Sequence, residues 1–397
     1  MTAARRPPLG LLFAVTLTGI LSNSLLSPVI PDVLDHFGQS DSRAGVLVAV
    51  GALPGIVMAP LIGFAADRFG RKVVLVPCLV TFGVFGIVAA TAQTFTVLLL
   101  ARLAMGFGSG GLINLAVVMI GDNWSGAERT RLVGLNYAVL TLGLAVVPLS
   151  SGLITDLASW RWALALYSTA LVTAGAVAML IENVRPAQTG NVRSQIRGAF
   201  RILRQPVLIA SLISGTLTFA LIFGIFLATI PVHLEEEFGL SAGWRGAIIA
   251  LPAIASSVVS ANLGRLRRTL GLRVLLVSGS TMFVAAFLAL GTTATLAILI
   301  VAVIVYGIGE GAIIPALQDT TVTVAPAAYR GGVLAVWVGF VRLGQTVGPL
   351  LAAALTGATS TSTTMVVGAG VAMMIVALKV FGPIDDQAVA AATPDPD

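Results

Sequence analysis

Charge is scarce in this chain. Only 10% of its 397 residues are Asp, Glu, Lys or Arg, against roughly a quarter in an ordinary soluble domain, while 57% are hydrophobic. So few polar side chains cannot cover a water-soluble core of this size, which excludes a soluble globular protein and places the chain in a lipid bilayer. Cysteine is nearly absent: Cys78 stands alone, so a disulfide framework or a CxxC metal site is impossible. The two histidines, His36 and His233, fall at expected helix ends, where they read as solvated. With no His/Asp/Glu cluster at metal-ligand spacing and no activated nucleophile, enzyme chemistry, a metal and a cofactor are not expected. Four tyrosines and five tryptophans, most near helix ends, leave little for aromatic recognition.

What the chain has in quantity is long apolar runs. They lie near residues 9–31, 44–66, 73–92, 96–119, 132–154 and 161–181, and again near 207–231, 245–263, 274–291, 295–317, 332–354 and 365–382. A spanning helix needs ~20 mostly apolar residues, because no water is available to satisfy its backbone. The sequence therefore predicts an all-α membrane protein of twelve transmembrane helices. Its organisation is a six-helix bundle over 1–182, a cytoplasmic linker over 183–206, a second six-helix bundle over 207–382 and a cytoplasmic tail over 383–397. The run at 9–31 is long, carries Pro28 and Pro31 and lacks a small-residue cleavage pattern, so it is read as a retained span.

Short loops rich in Lys and Arg resist translocation, which fixes the orientation. With both termini inside, the cytoplasmic side of a bacterial-type inner membrane collects Arg5, Arg6, Arg68, Arg71, Lys72, Arg129, Arg131, the linker arginines, Arg265, Arg267, Arg268, Arg273, Arg330 and Lys379. The other side keeps Arg43, Arg161 and Arg245. This asymmetry accounts for the net charge of +6, and no nucleic-acid partner is called for. The linker reads either as a basic amphipathic helix on the inner leaflet or as a topology-setting tether.

The chain also repeats itself. A shift of 201 positions pairs Phe37-Gly38 with Phe238-Gly239, Gly45 with Gly246, Gly63 with Gly264, and Gly70 with Gly271. The same shift pairs Gly106, Gly108 and Gly110 with Gly307, Gly309 and Gly311, Arg129 with Arg330, Gly143 with Gly344 and Pro148 with Pro349. Abundant glycine alone does not place the matches on corresponding helices and loops. Two pseudo-symmetric bundles in parallel repeat are the plan of a rocking transporter with its site between the halves.

Between spans two and three the chain reads GFAADRFGRK, with Gly63, Asp67, Arg68, Gly70, Arg71 and Lys72. This stretch resembles the signature loop G-x-L-A-D-R-x-G-R-K of the major facilitator superfamily, departing at Ala65, and the twelve spans, repeat and linker extend the likeness over the whole chain. The second copy, GRLRRTLGLR, has Arg268 where Asp67 stands. The resemblance implies the major facilitator fold and a gating latch in this loop. Asp67 would approach the start of span eleven at Gly331 and Gly332, and Arg71 would face Asp122 or Asp67 itself. The plainer reading is a topology signal, which accounts for the bases but not for Asp67. Because the acid is lost in the second copy, the latch is expected to be one-sided.

RLAMGFGSG in span four resembles the family pattern R-x-x-Q-G-x-G, with Met105 in place of the polar residue. Arg102 is thereby assigned to proton coupling with Asp32 as its acid, or else it snorkels. Glu310 and Arg342 lie inside spans ten and eleven, and either Glu310 carries a proton or the two form a bracing ion pair. Asn23, Asn114, Asn136, Gln318 and Gln345 are candidates for the substrate cavity, or for polar contacts between helices. Gly143, Pro148 and Gly152, with Gly348 and Pro349, partly match the G-x-x-x-G-P-x-x-G-G packing motif of the superfamily's antiporter-type exporters. The resemblance thus implies a monomeric, proton-coupled exporter of small amphipathic or hydrophobic molecules, like the twelve-span drug antiporters. The alternatives are a sugar or metabolite permease of the same superfamily and a transport-inactive membrane sensor.

Overall fold

A computed structural model describes residues 6–182, 205–324 and 330–383. The linker helix expected over 183–206 and the tail fall almost wholly outside them. Among the described residues twelve helices are long and apolar enough to cross a membrane. Spans 1 to 6 are Leu9–His36, Arg43–Phe69, Arg71–Ala90, Phe95–Asn123, Gly126–Leu157 and Trp160–Leu180. Spans 7 to 12 are Pro206–Phe238, Ala242–Ala261, Leu272–Thr292, Leu296–Thr321, Val336–Ala358 and Thr361–Val380. Among the described residues there is no strand, as expected where every backbone polar group must be satisfied within its own segment.

Proline and glycine punctuate the spans. Span 1 is interrupted by a 3-10 turn at Ser27–Val29, where Pro28 and Pro31 withhold backbone donors. Span 7 widens into a π-helix over Leu221–Thr229 just before Pro231, which likewise has no N–H to continue the α ladder. The internal repeat extends to backbone conformation. Gly38 and Gly239 have φ of 60° and 61°, and Gly70 and Gly271 have φ of 100° and 79°. Only glycine enters that region without strain, so the turns after spans 1 and 7 and before spans 3 and 9 are built alike.

By its contacts the chain divides into two compact units, Met1–Gln188 with Ile230–Ala250, and Thr189–Thr229 with Leu251–Asp397. The division differs from the sequence boundary at Ile230–Ala250, the end of span 7 and the start of span 8. The physical reason is close packing. A Cβ on Gly152 would collide with Ala242 O, one on Gly246 with Pro148 O, and Arg245 is buried against groups of span 1. In this first unit Leu12, Leu75, Leu79, Leu112, Ala116 and Ile120 form the heart of one apolar cluster. In the second unit an aromatic stack fills the corresponding role. Phe226 stacks on Tyr306 with centroids 4.4 Å apart, and Phe283 stacks on Tyr306 with centroids 4.9 Å apart.

Candidate functional site

On the side that collects the basic loops, Gly70 ends span 2 and Arg71 begins span 3. Arg71 donates from Nη1 to Asp67 Oδ1 at 2.5 Å and from Nε to Asp122 Oδ2 at 2.9 Å, so one guanidinium joins the loop to spans 2 and 4. Of the two partners expected for Arg71, it holds both. Arg68 lies over the Phe69 ring at 5.6 Å, and Lys72 is half-buried. Among the described residues no close neighbour stands beside Gly63, so it makes no tight helix approach there. In the second unit, Arg267 donates to Asp319 of span 10. The second copy thus retains a base-to-acid bridge even though Arg268 replaces the acid, and the expected one-sidedness applies to Asp67 alone.

Arg102 is fully buried in span 4. Its Nη1 donates to Ser22 O and, at 3.3 Å, to Tyr167 Oη, and its Nη2 donates to Asn23 Oδ1 at 2.8 Å. The guanidinium fits because Gly51 beside it has no side chain. This corrects the expected Arg102–Asp32 pair: all these acceptors are neutral, and span 1 binds Arg102 about three turns before Asp32. The same contact engages Asn23 with an arginine.

Asp32 belongs instead to a cluster around Arg245, which is 1% exposed. Arg245 Nη2 donates to Asp32 Oδ2, Nη1 lies 3.1 Å from Glu235 Oε1, and Nε donates to Pro28 O at 2.9 Å. Next to it, Asp156 Oδ2 accepts from Ser241 Oγ at 2.7 Å and from Gly243 N at 3.0 Å. A carboxylate therefore caps the N-terminus of span 8, where free N–H groups and the helix dipole favour negative charge. Sequence reasoning missed Arg245, Glu235 and Asp156. The available signal was a base close to a helix start on the side where bases are rare.

In the second unit Glu310 is half-buried in span 10 and makes no hydrogen bond or ion pair among the described residues. Arg342 does not brace it; its Nη1 donates to Gln345 Oε1 at 3.0 Å. One turn before Glu310, the buried hydroxyl of Tyr306 has no hydrogen-bond partner among the described residues. Of the remaining polar candidates, Asn136 is buried and accepts from Thr16 Oγ1 at 2.7 Å, whereas Asn114 is exposed and Gln318 half-buried. The packing residues lie at helix crossings. A Cβ on Gly143 would strike Ile20, one on Gly348 would strike Ala220, and Gly224 of the π-helix faces Gly348 and Pro349.

Comparison with known proteins accords with this geometry. The model of the Major Facilitator Superfamily matches residues 12–333 and 246–395. The chain is 28% identical over 360 residues to the bacillibactin exporter of Bacillus subtilis (strain 168), covering 87% of this chain and 88% of that one. It is 25% identical to Multidrug resistance protein 1 of the same organism, covering 85% and 88%. The solved structure of a bacterial homolog to the human lysosomal transporter Spinster, inward-facing and unoccupied, covers 98% of both chains with a TM-score of 0.78 at 15% identity. With twelve apolar helices, a repeated six-helix plan and a family model spanning most of its length, the chain is a multi-pass transporter belonging to the major facilitator superfamily.

Proposed function

We propose that this transporter exports small amphipathic or hydrophobic molecules in exchange for protons. It works by alternating access, as a monomer, with its basic loops and both termini in the cytoplasm. The observation that carries the coupling is Glu310, a carboxyl inside a membrane helix with no cation bound to it among the described residues. A group of this kind changes the charge inside the bilayer each time it takes up or loses a proton, and an intramembrane acid is retained only where that exchange or a partner offsets its cost. Asp32 is the second exchangeable acid. Its proton would remove one of the two carboxylates facing Arg245 and loosen the contact between spans 1 and 8. Export is supported by the likeness to an exporter and a multidrug resistance protein over almost the whole chain. A monomer suffices because one chain supplies both six-helix sets.

The test is transport into inverted vesicles under an imposed pH gradient, with lipophilic cations, neutral drugs and sugars as probes. Uptake of an amphipathic probe that collapses with the gradient is the expected result. Glu310→Gln should abolish coupled uptake while leaving the protein folded in the membrane. If no probe moves against its gradient, or if Glu310→Gln and Asp32→Asn both transport at the wild-type rate, proton-coupled export by these acids is wrong.

A further inference from the structure

The loop between spans 8 and 9 holds a helix of its own, Leu263–Leu270, none of whose residues is buried. Its sides differ in chemistry. Leu263, Leu266 and Leu270 lie within one narrow arc, while Arg265 and Arg268 stand on the opposite arc, both exposed. Arg267, at the border, is spent on Asp319, and Arg273 donates from Nη1 to Val380 O at 2.8 Å, where it covers the end of span 12. Arg265 and Arg268 make no ion pair among the described residues. In the corresponding loop of the first unit Asp67 and Asp122 both stand on Arg71, while Arg68 lies over the Phe69 ring. What sets the second copy apart is that its unpaired bases stand on one face of a separate helix.

The helix cannot leave the membrane surface. Span 8 ends at Ala261 and span 9 begins at Leu272, so Arg265 is four residues from one span and Arg268 four from the other. Four helical residues rise ~6 Å, about the depth of one headgroup layer. An arginine fork in that layer meets lipid phosphate, which it binds through paired N–H donors. We infer that Leu263–Leu270 is a binding site for anionic phospholipid headgroups, with Arg265 and Arg268 as its ligands on a helix that lies beside spans 9 and 10. The charge of the site and its fixed position in the headgroup layer select the bilayer's own acidic lipid as the occupant.

Native mass spectrometry of the full chain in detergent, titrated with phosphatidylglycerol or phosphatidylcholine, tests this. At about tenfold or less per basic side chain near an anionic surface, the double variant Arg265→Gln/Arg268→Gln should retain phosphatidylglycerol roughly 30-fold less well, with phosphatidylcholine unaffected. The matched double variant Arg129→Gln/Arg131→Gln removes two exposed bases from the loop between spans 4 and 5 and should leave retention unchanged. Arg265→Lys/Arg268→Lys keeps the charge and should keep most of the binding. Unchanged retention in the first variant overturns the proposal, and so does an equal loss in the first and the matched variants.

Discussion

Arg102 and Arg245 are both fully buried cations in the first unit, held in opposite ways. Arg102 is surrounded by neutral acceptors, Ser22 O, Asn23 Oδ1 and Tyr167 Oη, whereas Arg245 faces Asp32 and Glu235. Removing one partner of a buried pair strands the other, which typically costs 3–5 kcal/mol. Because the two acids are partly exposed, Arg245→Met should lower stability by about 2 kcal/mol, read as a shift in the unfolding midpoint in detergent. Neutralising Asp32→Asn and Glu235→Gln in the same chain should recover most of that loss, since no charge is then left unpaired. Arg102→Lys should also destabilise, because a single ammonium cannot reach three acceptors that a planar fork reaches together. The buried position of Arg102 could be read from the sequence, since charge inside an apolar run is conspicuous. Its partners could not, nor could those of Arg245. A bond between positions 213 residues apart leaves no local trace, and the nearest plausible acid on paper, Asp32, was in fact claimed by another base.

Helices in this protein were legible because lipid leaves the backbone few alternatives. Their edges were less so. Span 5, expected over 132–154, runs from Gly126 to Leu157, since amphipathic ends carry the helix beyond the apolar run. The π-helix in span 7 had no signal beyond Pro231. Glycines, though plentiful, have different duties, and substitution separates them. Gly70 sits at φ 100° between spans 2 and 3, so Gly70→Ala should cost about 1–2 kcal/mol in the same unfolding assay. Gly63 lies in open space within a helix, and Gly63→Ala should be neutral or stabilise by up to about 1 kcal/mol. Gly348 allows span 11 to meet the backbone of Ala220 in span 7. Gly348→Val has no flexible side chain to push aside there. Little monodisperse protein should remain on size-exclusion chromatography, whereas Gly339→Ala, beside open space on the same helix, should behave as the parent.

For the molecule as a whole, the repeat was legible in the glycine spacing, and its paired turn conformations follow from that spacing because the same φ requires the same residue. The grouping of Ile230–Ala250 with the first unit was not legible, since it depends on contacts of Gly152, Pro148 and Asp32 that only folding assembles. Orientation across the membrane is the remaining global property, and the distribution of bases gives an expectation for it. Span 9 separates two short loops of opposite character. Before it stands Thr269, exposed among Arg265, Arg267, Arg268 and Arg273; after it stands Ala294, exposed, with no base nearer in sequence than Arg273. Cys78 is the chain's single cysteine and can be removed as Cys78→Ala at a buried site that accepts a smaller apolar side chain. In that background, Ala294→Cys should react in intact cells with a membrane-impermeant maleimide, while Thr269→Cys should react only after the membrane is broken. The two positions lie one span apart, so labelling of Thr269→Cys in intact cells, with Ala294→Cys protected, would reverse the expected topology and with it the direction of the proposed proton exchange.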